Sequence, residues 1–252
     1  MANMSANQGA IIVTGASRGI GAAVARLAGA RGYAVAVNFR NDRAAADAVV
    51  ADIVALGCRA TAIHADVADE DQVVRLFAGA ERELGRIEGL VNNAGITGRI
   101  CRLEELDAAS LAEVLTVNVA GSILCAREAV RRMSRRHGGT GGSIVNISSI
   151  AARLGGSGEY VHYAASKGAI DAFTIGLARE VAGDGIRVNA IAPGLIDTEI
   201  HASSPGRLER LTPLVPMQRV GTAQEVAEGV LWLLSPEASY TTGAILEIGG
   251  GR

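Results

Sequence analysis

Short apolar runs alternate with longer amphipathic stretches from one end of this chain to the other. Ala10 to Thr14 reads as a strand, followed by a helix from about Gly19 to Arg31 that Gly32 stops. Ala34 to Phe39 is the next strand, and Arg43 to Leu56 a helix with Gly57 just past its end. Ala60 to Ala65 follows, then a helix that Asp69 caps and that runs through Leu84, with Gln72 placed as in a capping box. Gly89 to Asn92 is a fourth strand, Leu103 to Val117 and Val119 to Arg136 are two helices, and Ser143 to Ser148 is a fifth strand. Val161 to Ala182 is a long helix and Arg187 to Ala192 a sixth strand. Thr222-Ala223-Gln224-Glu225 is a second capping box, opening a helix to about Leu234, and Ala244 to Ile248 closes the sheet. Repeated strand–helix alternation calls for a parallel sheet covered on both faces by right-handed crossovers. With no internal repeat, low-complexity tract or linker, the prediction is one doubly wound α/β domain over residues 1–252, with about seven strands.

Composition narrows what such a domain can be. A hydrophobic share of 49% with only 3% aromatic residues predicts a core of Ala, Val, Ile and Leu, in which helices lie close on strands. A net charge of -2 argues against a nucleic-acid footprint. The one basic cluster, Arg131, Arg132, Arg135 and Arg136, reads as the polar end of a helix. Cys58, Cys101 and Cys125 are odd in number and far apart, as expected of reduced thiols in a cytoplasmic protein. No apolar core of a signal peptide stands near the start, and no uninterrupted apolar run predicts a membrane span. His64, His137, His162 and His201 share no metal-ligand spacing, so no metal site is expected.

Only Leu195 to Gly221 looks irregular, with Pro205, Pro213 and Pro216 among its residues. It leaves the C-terminal end of a strand, where open α/β sheets bind ligands, and is expected to be a lid over the site.

Two short patterns carry chemistry. Thr14-Gly15-Ala16-Ser17-Arg18-Gly19-Ile20-Gly21 lies between the first strand and the first helix. Glycines at 15, 19 and 21 let the backbone turn tightly and approach a pyrophosphate, which a helix N-terminus stabilises through its free N–H groups. The second pattern is Tyr163-Ala164-Ala165-Ser166-Lys167, which holds the single lysine of the chain. On a helix, Tyr163 and Lys167 share a face. A cation close to a phenol favours its ionised form and draws its pKa down from about 10, toward the range of a usable acid and base.

Added to these are Asn92-Asn93-Ala94-Gly95 after the fourth strand, Asn118 in the following helix, Ser148-Ser149 after the fifth, and Pro193-Gly194 with Thr198 after the sixth. In this order and spacing, and over essentially the whole chain, the sequence resembles the short-chain dehydrogenase/reductase family. Its look is that of the bacterial 3-oxoacyl reductase and glucose dehydrogenase type. The resemblance implies a Rossmann-type sheet and transfer of hydride between a nicotinamide and a carbonyl or secondary alcohol. Tyr163 would be the general acid and base, and Lys167 would lower its pKa and hold the nicotinamide ribose. A serine would hydrogen-bond the substrate oxygen, and Asn118 would help to hold a water for proton relay. The cofactor would lie along Gly15, Ser17, Arg18, Gly19, Ile20 and Gly21. Arg40, Asp66 and Val67 would flank the adenosine, and Asn92, Ala94, Gly95, Tyr163, Lys167, Pro193, Gly194, Ile196 and Thr198 would complete the site.

The chain departs from the family pattern in two places. The catalytic serine usually stands thirteen residues before the tyrosine, whereas Ser149 is fourteen before Tyr163 and Ser148 fifteen. Ser149 is the expected catalytic residue, Ser148 the cap of the strand end, and the segment 154–159 carries the extra residue. Tyr160 has Ala164 four residues on, so it is expected to line the pocket or pack. The second departure concerns the cofactor. NAD enzymes of this fold carry an acid at the end of the second strand for the ribose 2′-hydroxyl. Here the segment is Val37-Asn38-Phe39-Arg40, and Arg18 and Arg40 could meet a 2′-phosphate instead. NADP is therefore expected, with NAD possible should Asp42 serve the ribose.

Other readings of the scaffold are an NAD-dependent alcohol or sugar dehydrogenase, an epimerase or dehydratase, and a non-catalytic dinucleotide-binding regulator. The acidic Gly183-Asp184-Gly185 argues against an acyl-carrier-protein substrate, although Arg135 and Arg136 lie on the preceding helix. Arg99, Arg153 and His201 are weighed as substrate contacts, with surface charge the simpler account of the arginines. Apolar residues on several helix faces (Ile123, Leu124 and Val130; Ile170, Phe173, Ile175 and Leu177), with the family's habit, predict a homotetramer.

Overall fold

Successive side chains of strand β1 (Ala10–Val13) enter two different cores, Ile11 and Val13 on one face, Ala10 and Ile12 on the other. A strand buried on both faces has no polar side, which is why Ala-Ile-Ile-Val reads as one unbroken apolar run. The computed structural model behind this description covers residues 9–199 and 206–252. Strands β2 (Ala34–Phe39), β3 (Ala60–His64), β4 (Ile87–Asn92), β5 (Gly142–Ile147) and β6 (Ile186–Pro193) join β1 in one sheet. Two short strands, β7 (Ile196–Asp197) and β8 (Gly221–Thr222), stand apart, and β9 (Ile245–Ile248) completes seven parallel strands in the order β3-β2-β1-β4-β5-β6-β9.

Helices α1 (Gly19–Ala30), α2 (Arg43–Ala55) and α9 (Ala223–Leu234) cover one face of the sheet. Helices α3 (Glu70–Leu84), α5 (Gly121–Met133) and α7 (Val161–Val181) cover the other. Small residues allow this closeness. A Cβ at Gly29 of α1 would come 2.6 Å from Ile53 of α2, and one at Gly229 of α9 2.5 Å from Ile248. The predicted doubly wound α/β sheet is the one found.

Several local expectations change. Thr222 and Glu225 close their capping box reciprocally, with Thr222 N–H donating to Glu225 at 2.8 Å and Glu225 N–H to the Thr222 hydroxyl at 3.2 Å. The box at Asp69 stays open. Asp69 accepts from Gln72 N–H at 3.0 Å and from the Gln72 side-chain amide at 2.8 Å, but the Gln72 side-chain oxygen accepts from Asp66 N–H and not from the Asp69 backbone. The two helices expected around Asn118 form one rod, α4 (Ala108–Leu115) continuing into α5 through a π turn at Thr116–Ala120. By length and composition, with an 18-residue window of mean hydropathy 1.6, the rod Ala108–Met133 could cross a membrane, which the sequence reading missed by splitting it at Asn118. Here it lies against β4, α3 and α7, and its Glu128, buried, accepts from Arg131 and Arg132 at 2.7 Å each.

The irregular stretch is more ordered than its composition suggests. β7 pairs with β8, fastening its two ends together, and between them helix α8 (Arg207–Leu211) leads into a tight turn at Thr212–Leu214. Leu195, Leu211 and Val215 form a small separate core beneath it. His201 and Pro205 lie outside the described residues. Between the short helix α6 (Ala151–Leu154) and α7, Gly155, Gly156 and Gly158 take positive φ values of 81°, 62° and 76°.

Candidate active site

β1 is flanked by β2 on one side and β4 on the other, so the chain leaves it in opposite directions and a crevice opens at the strands' C-terminal ends. A cavity of about 810 Å³ lies there. Its first wall is mostly backbone. The Thr14 hydroxyl accepts from Asn93 N–H at 2.9 Å and Ala94 N–H at 3.0 Å, tying the end of β1 to the turn after β4. Removing that hydroxyl would strand two half-buried donors, at a cost of roughly 1 kcal/mol or more. The Asn93 amide donates to the carbonyls of Thr14 and Gly15, and Asn38 on β2 accepts from Gly15 N–H at 3.1 Å. The loop is thus held from both neighbouring strands.

Gly15 and Gly19 take positive φ values of 61° and 54°, which side-chain-bearing residues rarely adopt. Gly21 is needed for space, since a Cβ there would stand 2.5 Å from the Asn93 amide nitrogen and 2.6 Å from the Gly15 carbonyl. No side chain caps the start of α1, so its first N–H groups remain available toward the cavity. A glycine cradle, an uncapped helix start and two arginines fit the diphosphate of a dinucleotide. Gly15, Ser17, Arg18, Gly19, Ile20, Arg40, Asp66, Val67, Ala94, Gly95, Pro193, Gly194, Ile196 and Thr198 line the cavity.

Gly21, Asn92 and Asn118 do not line it. Gly21 faces inward, for the reason of space just given. Asn92 is turned into the sheet, donating to the Ser122 carbonyl at 3.0 Å and to Asn146 at 2.9 Å. Asn118 sits in the π turn with both amide hydrogens engaged, one on the Ile96 carbonyl and one on the Ser166 hydroxyl, while its oxygen accepts from Ile96 N–H at 2.8 Å. Its side chain fastens the strand exit to α7 and has no hydrogen left to donate to a water. Asp42 caps α2, accepting from Ala45 N–H at 2.9 Å, and is absent from the cavity wall. Arg40 faces Asp66 at 3.7 Å, and Arg18 faces Glu199 at 3.3 Å, both at the exposed rim.

The second wall is made of side chains. α7 brings Tyr163 and Lys167 to one face, with the Lys167 ammonium 5.7 Å from the Tyr163 ring centroid. The ammonium donates to the Ile147 carbonyl at 2.7 Å, at the end of β5. Burial pushes the Tyr163 phenol up to about 12, opposed first by a hydrogen bond from Ser149 and further by the charge of Arg207. Tyr163 is half-buried as a residue, but protein atoms crowd its hydroxyl. Lys167 is drawn down to about 8 by burial, with Asp171 pulling the other way. In this arrangement desolvation of the phenol outweighs attraction by the Arg207 cation. Ser149 meets Tyr163, whereas Ser148 donates to Asp171 at 2.5 Å and to the Lys167 carbonyl at 3.3 Å.

A family model described as "Enoyl-(Acyl carrier protein) reductase" matches residues 15–252. The chain belongs to the short-chain dehydrogenase/reductase family. It is an oxidoreductase, 51% identical over 243 residues (96% of this chain, 98% of the relative) to the uncharacterised oxidoreductase YgfF of Escherichia coli strain K12. It is 38% identical over 241 residues, 95% of each chain, to a 3-oxoacyl-[acyl-carrier-protein] reductase of Synechocystis. A solved structure of a blue fluorescent protein from a metagenomic library, in complex with NADPH, superposes with a TM-score of 0.90, 35% identity and coverage of 97% of this chain and 98% of that one.

Within this short-chain dehydrogenase/reductase, Asn38, Glu159, Arg207 and Arg210 are among the cavity residues to which the sequence reading gave no role. Asn38 looked like the residue where an acid was missing, but it is a buried tie between β1, β2 and β3. Glu159, Arg207 and Arg210 come together from α8 and the turn before α7, and line the cavity beside Tyr160. No local spacing signals them, because the contact spans about fifty residues. Arg99 donates to the Glu105 carbonyl, and Arg153 pairs with Glu247, so both serve the surface.

Proposed function

We propose that this protein is an NADP(H)-dependent reductase or dehydrogenase of small carbonyl or secondary alcohol substrates, with Tyr163 as general acid and base. The observation that carries this reading is that Tyr163, Ser149 and Lys167 share one cavity with a glycine cradle at the start of α1. The nicotinamide supplies the hydride when bound. In reduction, Tyr163 gives its proton to the substrate oxygen while Ser149 donates a hydrogen bond to the charge growing there. Lys167 lies behind Tyr163, anchored at Ile147, as a cation that favours the phenolate once the proton has left. Arg18 and Arg40 at the rim take the 2′-phosphate, a choice supported by the absence of any acid at the end of β2.

The whole of residues 1–252 is proposed to act as one dinucleotide-binding domain in the cytoplasm, with 195–221 as its substrate lid. We also propose a homotetramer. Leu111, Leu115 and Ile123 are exposed along the α4–α5 rod, and Trp232, Tyr240 and Leu246 are exposed among α9, the turn after it and edge strand β9, so a two-fold axis could cover each group. The decisive experiment follows NADPH absorbance with a panel of ketones, oxo acids and polyols. Consumption by none of them, and no cofactor reduction from any alcohol, would remove this reading.

A further inference from the structure

One wall of the cavity carries charge that the proposed hydride chemistry leaves unused. Arg207 opens α8 and is only 8% exposed, a burial that arginine tolerates when paired. It donates to Glu159 at 2.9 Å and to the Tyr160 hydroxyl, and its guanidinium carbon lies 4.8 Å from the centre of the Tyr160 ring. Its Nε is buried and has no hydrogen-bond partner among the described residues. Arg210 donates to the other Glu159 oxygen at 2.6 Å. Two cations around one carboxylate leave this end of the cavity net positive, and the carboxylate already there shows what geometry the guanidinium pair accepts.

This charge stands close to the reacting group. The Tyr160 ring meets the Tyr163 ring edge to face at 5.5 Å between centres, so a single aromatic ring separates the guanidinium from the phenol. Leu154, Leu195 and Leu211 give the same cavity apolar lining. A cationic end, an apolar stretch and a proton donor fit a molecule with a carboxylate, a short carbon chain and a carbonyl. A neutral acyl thioester offers the arginines only a carbonyl oxygen, a weaker partner than a carboxylate.

Resting on the reading of Tyr163 as proton donor, we propose that Arg207, assisted by Arg210, determines specificity by binding the carboxylate of a short-chain oxo acid or hydroxy acid whose reacting carbon sits at Tyr163. Glu159 holds the guanidinium in place and yields part of it to the incoming carboxylate. The substrate class is thus the free acid, and the acyl-carrier-linked thioester is disfavoured.

The test compares a linear oxo acid with its methyl ester, as substrates of the full chain with NADPH. The acid is expected to show a kcat/KM about 10- to 100-fold above the ester, the range of one charge-assisted contact, carried mostly by KM. Arg207→Met should bring the ratio close to one by raising KM for the acid, and Glu159→Gln, which removes the competing carboxylate, should raise the preference. A saturated carboxylate of the same length should inhibit competitively. Should Arg207→Met fail to fold, Arg210→Met and Glu159→Gln carry the test. An ester used as well as the acid, or a ratio that none of these variants moves, overturns the proposal and leaves Arg207 as a fastening for α8. If ketones and esters are reduced without advantage to acids, only this proposal falls. If no carbonyl compound consumes NADPH, the hydride reading falls and takes this one with it.

Discussion

The two walls of the cavity are built on different principles. The wall at Gly15 to Gly21 offers backbone N–H groups held by side-chain ties from Asn38 and Asn93, so its chemistry is spread over many peptide units. The wall at Ser149, Tyr160, Tyr163, Lys167 and Arg207 offers single side chains, two of which, Tyr163 and Lys167, are displaced from their ordinary pKa by burial. A backbone cradle tolerates loss of one contact but not a change of shape. A side-chain constellation tolerates small changes of shape but not loss of one functional atom.

The sharpest way to break this comparison is Tyr163→Phe. Turnover should fall about 10²- to 10⁴-fold, the usual size of a general acid–base contribution, while NADPH affinity measured by fluorescence titration stays nearly constant. Near-native kcat would remove the side-chain wall from the chemistry. On the other wall, NADPH should bind roughly 10- to 100-fold more tightly than NADH, and Arg40→Asp should erase most of that difference. Equal dissociation constants in the parent protein would defeat the 2′-phosphate assignment.

A change of shape in the cradle should cost less in turnover than in binding. Gly21→Ala places a Cβ into Asn93 and the Gly15 carbonyl, so cofactor affinity should drop about 10-fold and stability by roughly 1–3 kcal/mol in urea unfolding. Unchanged affinity would mean that the cradle is not the binding surface. The smallest effect concerns Lys167, whose folded pKa near 8 lies below its ordinary value of 10.5. Between those values the unfolded chain holds a proton that the folded one has lost, so stability rises with pH through this window and falls as pH drops through about 8. Relative to Lys167→Met, the parent protein should therefore gain about 1–3 kcal/mol between pH 8 and pH 10.5. A difference independent of pH would show that burial does not depress this ammonium.

The same contrast explains what could be read in advance. The glycine loop was legible because backbone shape is written in consecutive residues, and the seven strands because an apolar run between helices has few other places to go. That Asn118 supports the site from behind instead of lining it was not, because nothing in Val117-Asn118-Val119 announces a π turn that directs the amide to Ile96 and Ser166. Spacing alone chose Ser149 over Ser148, but the partner that Ser148 takes, Asp171, is twenty-three residues away and was not legible.

By itself, the sequence determined the alternation of strand and helix, the cradle after β1, and the pairing of Tyr163 with Lys167 on one helix face, since each depends on residues within a few turns of one another. Tertiary structure decided that Gly21, Asn92 and Asn118 support the site from behind, that burial lifts the Tyr163 phenol to about 12, and that Arg207 and Glu159 meet beside it. These outcomes depend on how densely distant segments enclose a group, and desolvation is a property of the finished packing, which no local spacing encodes.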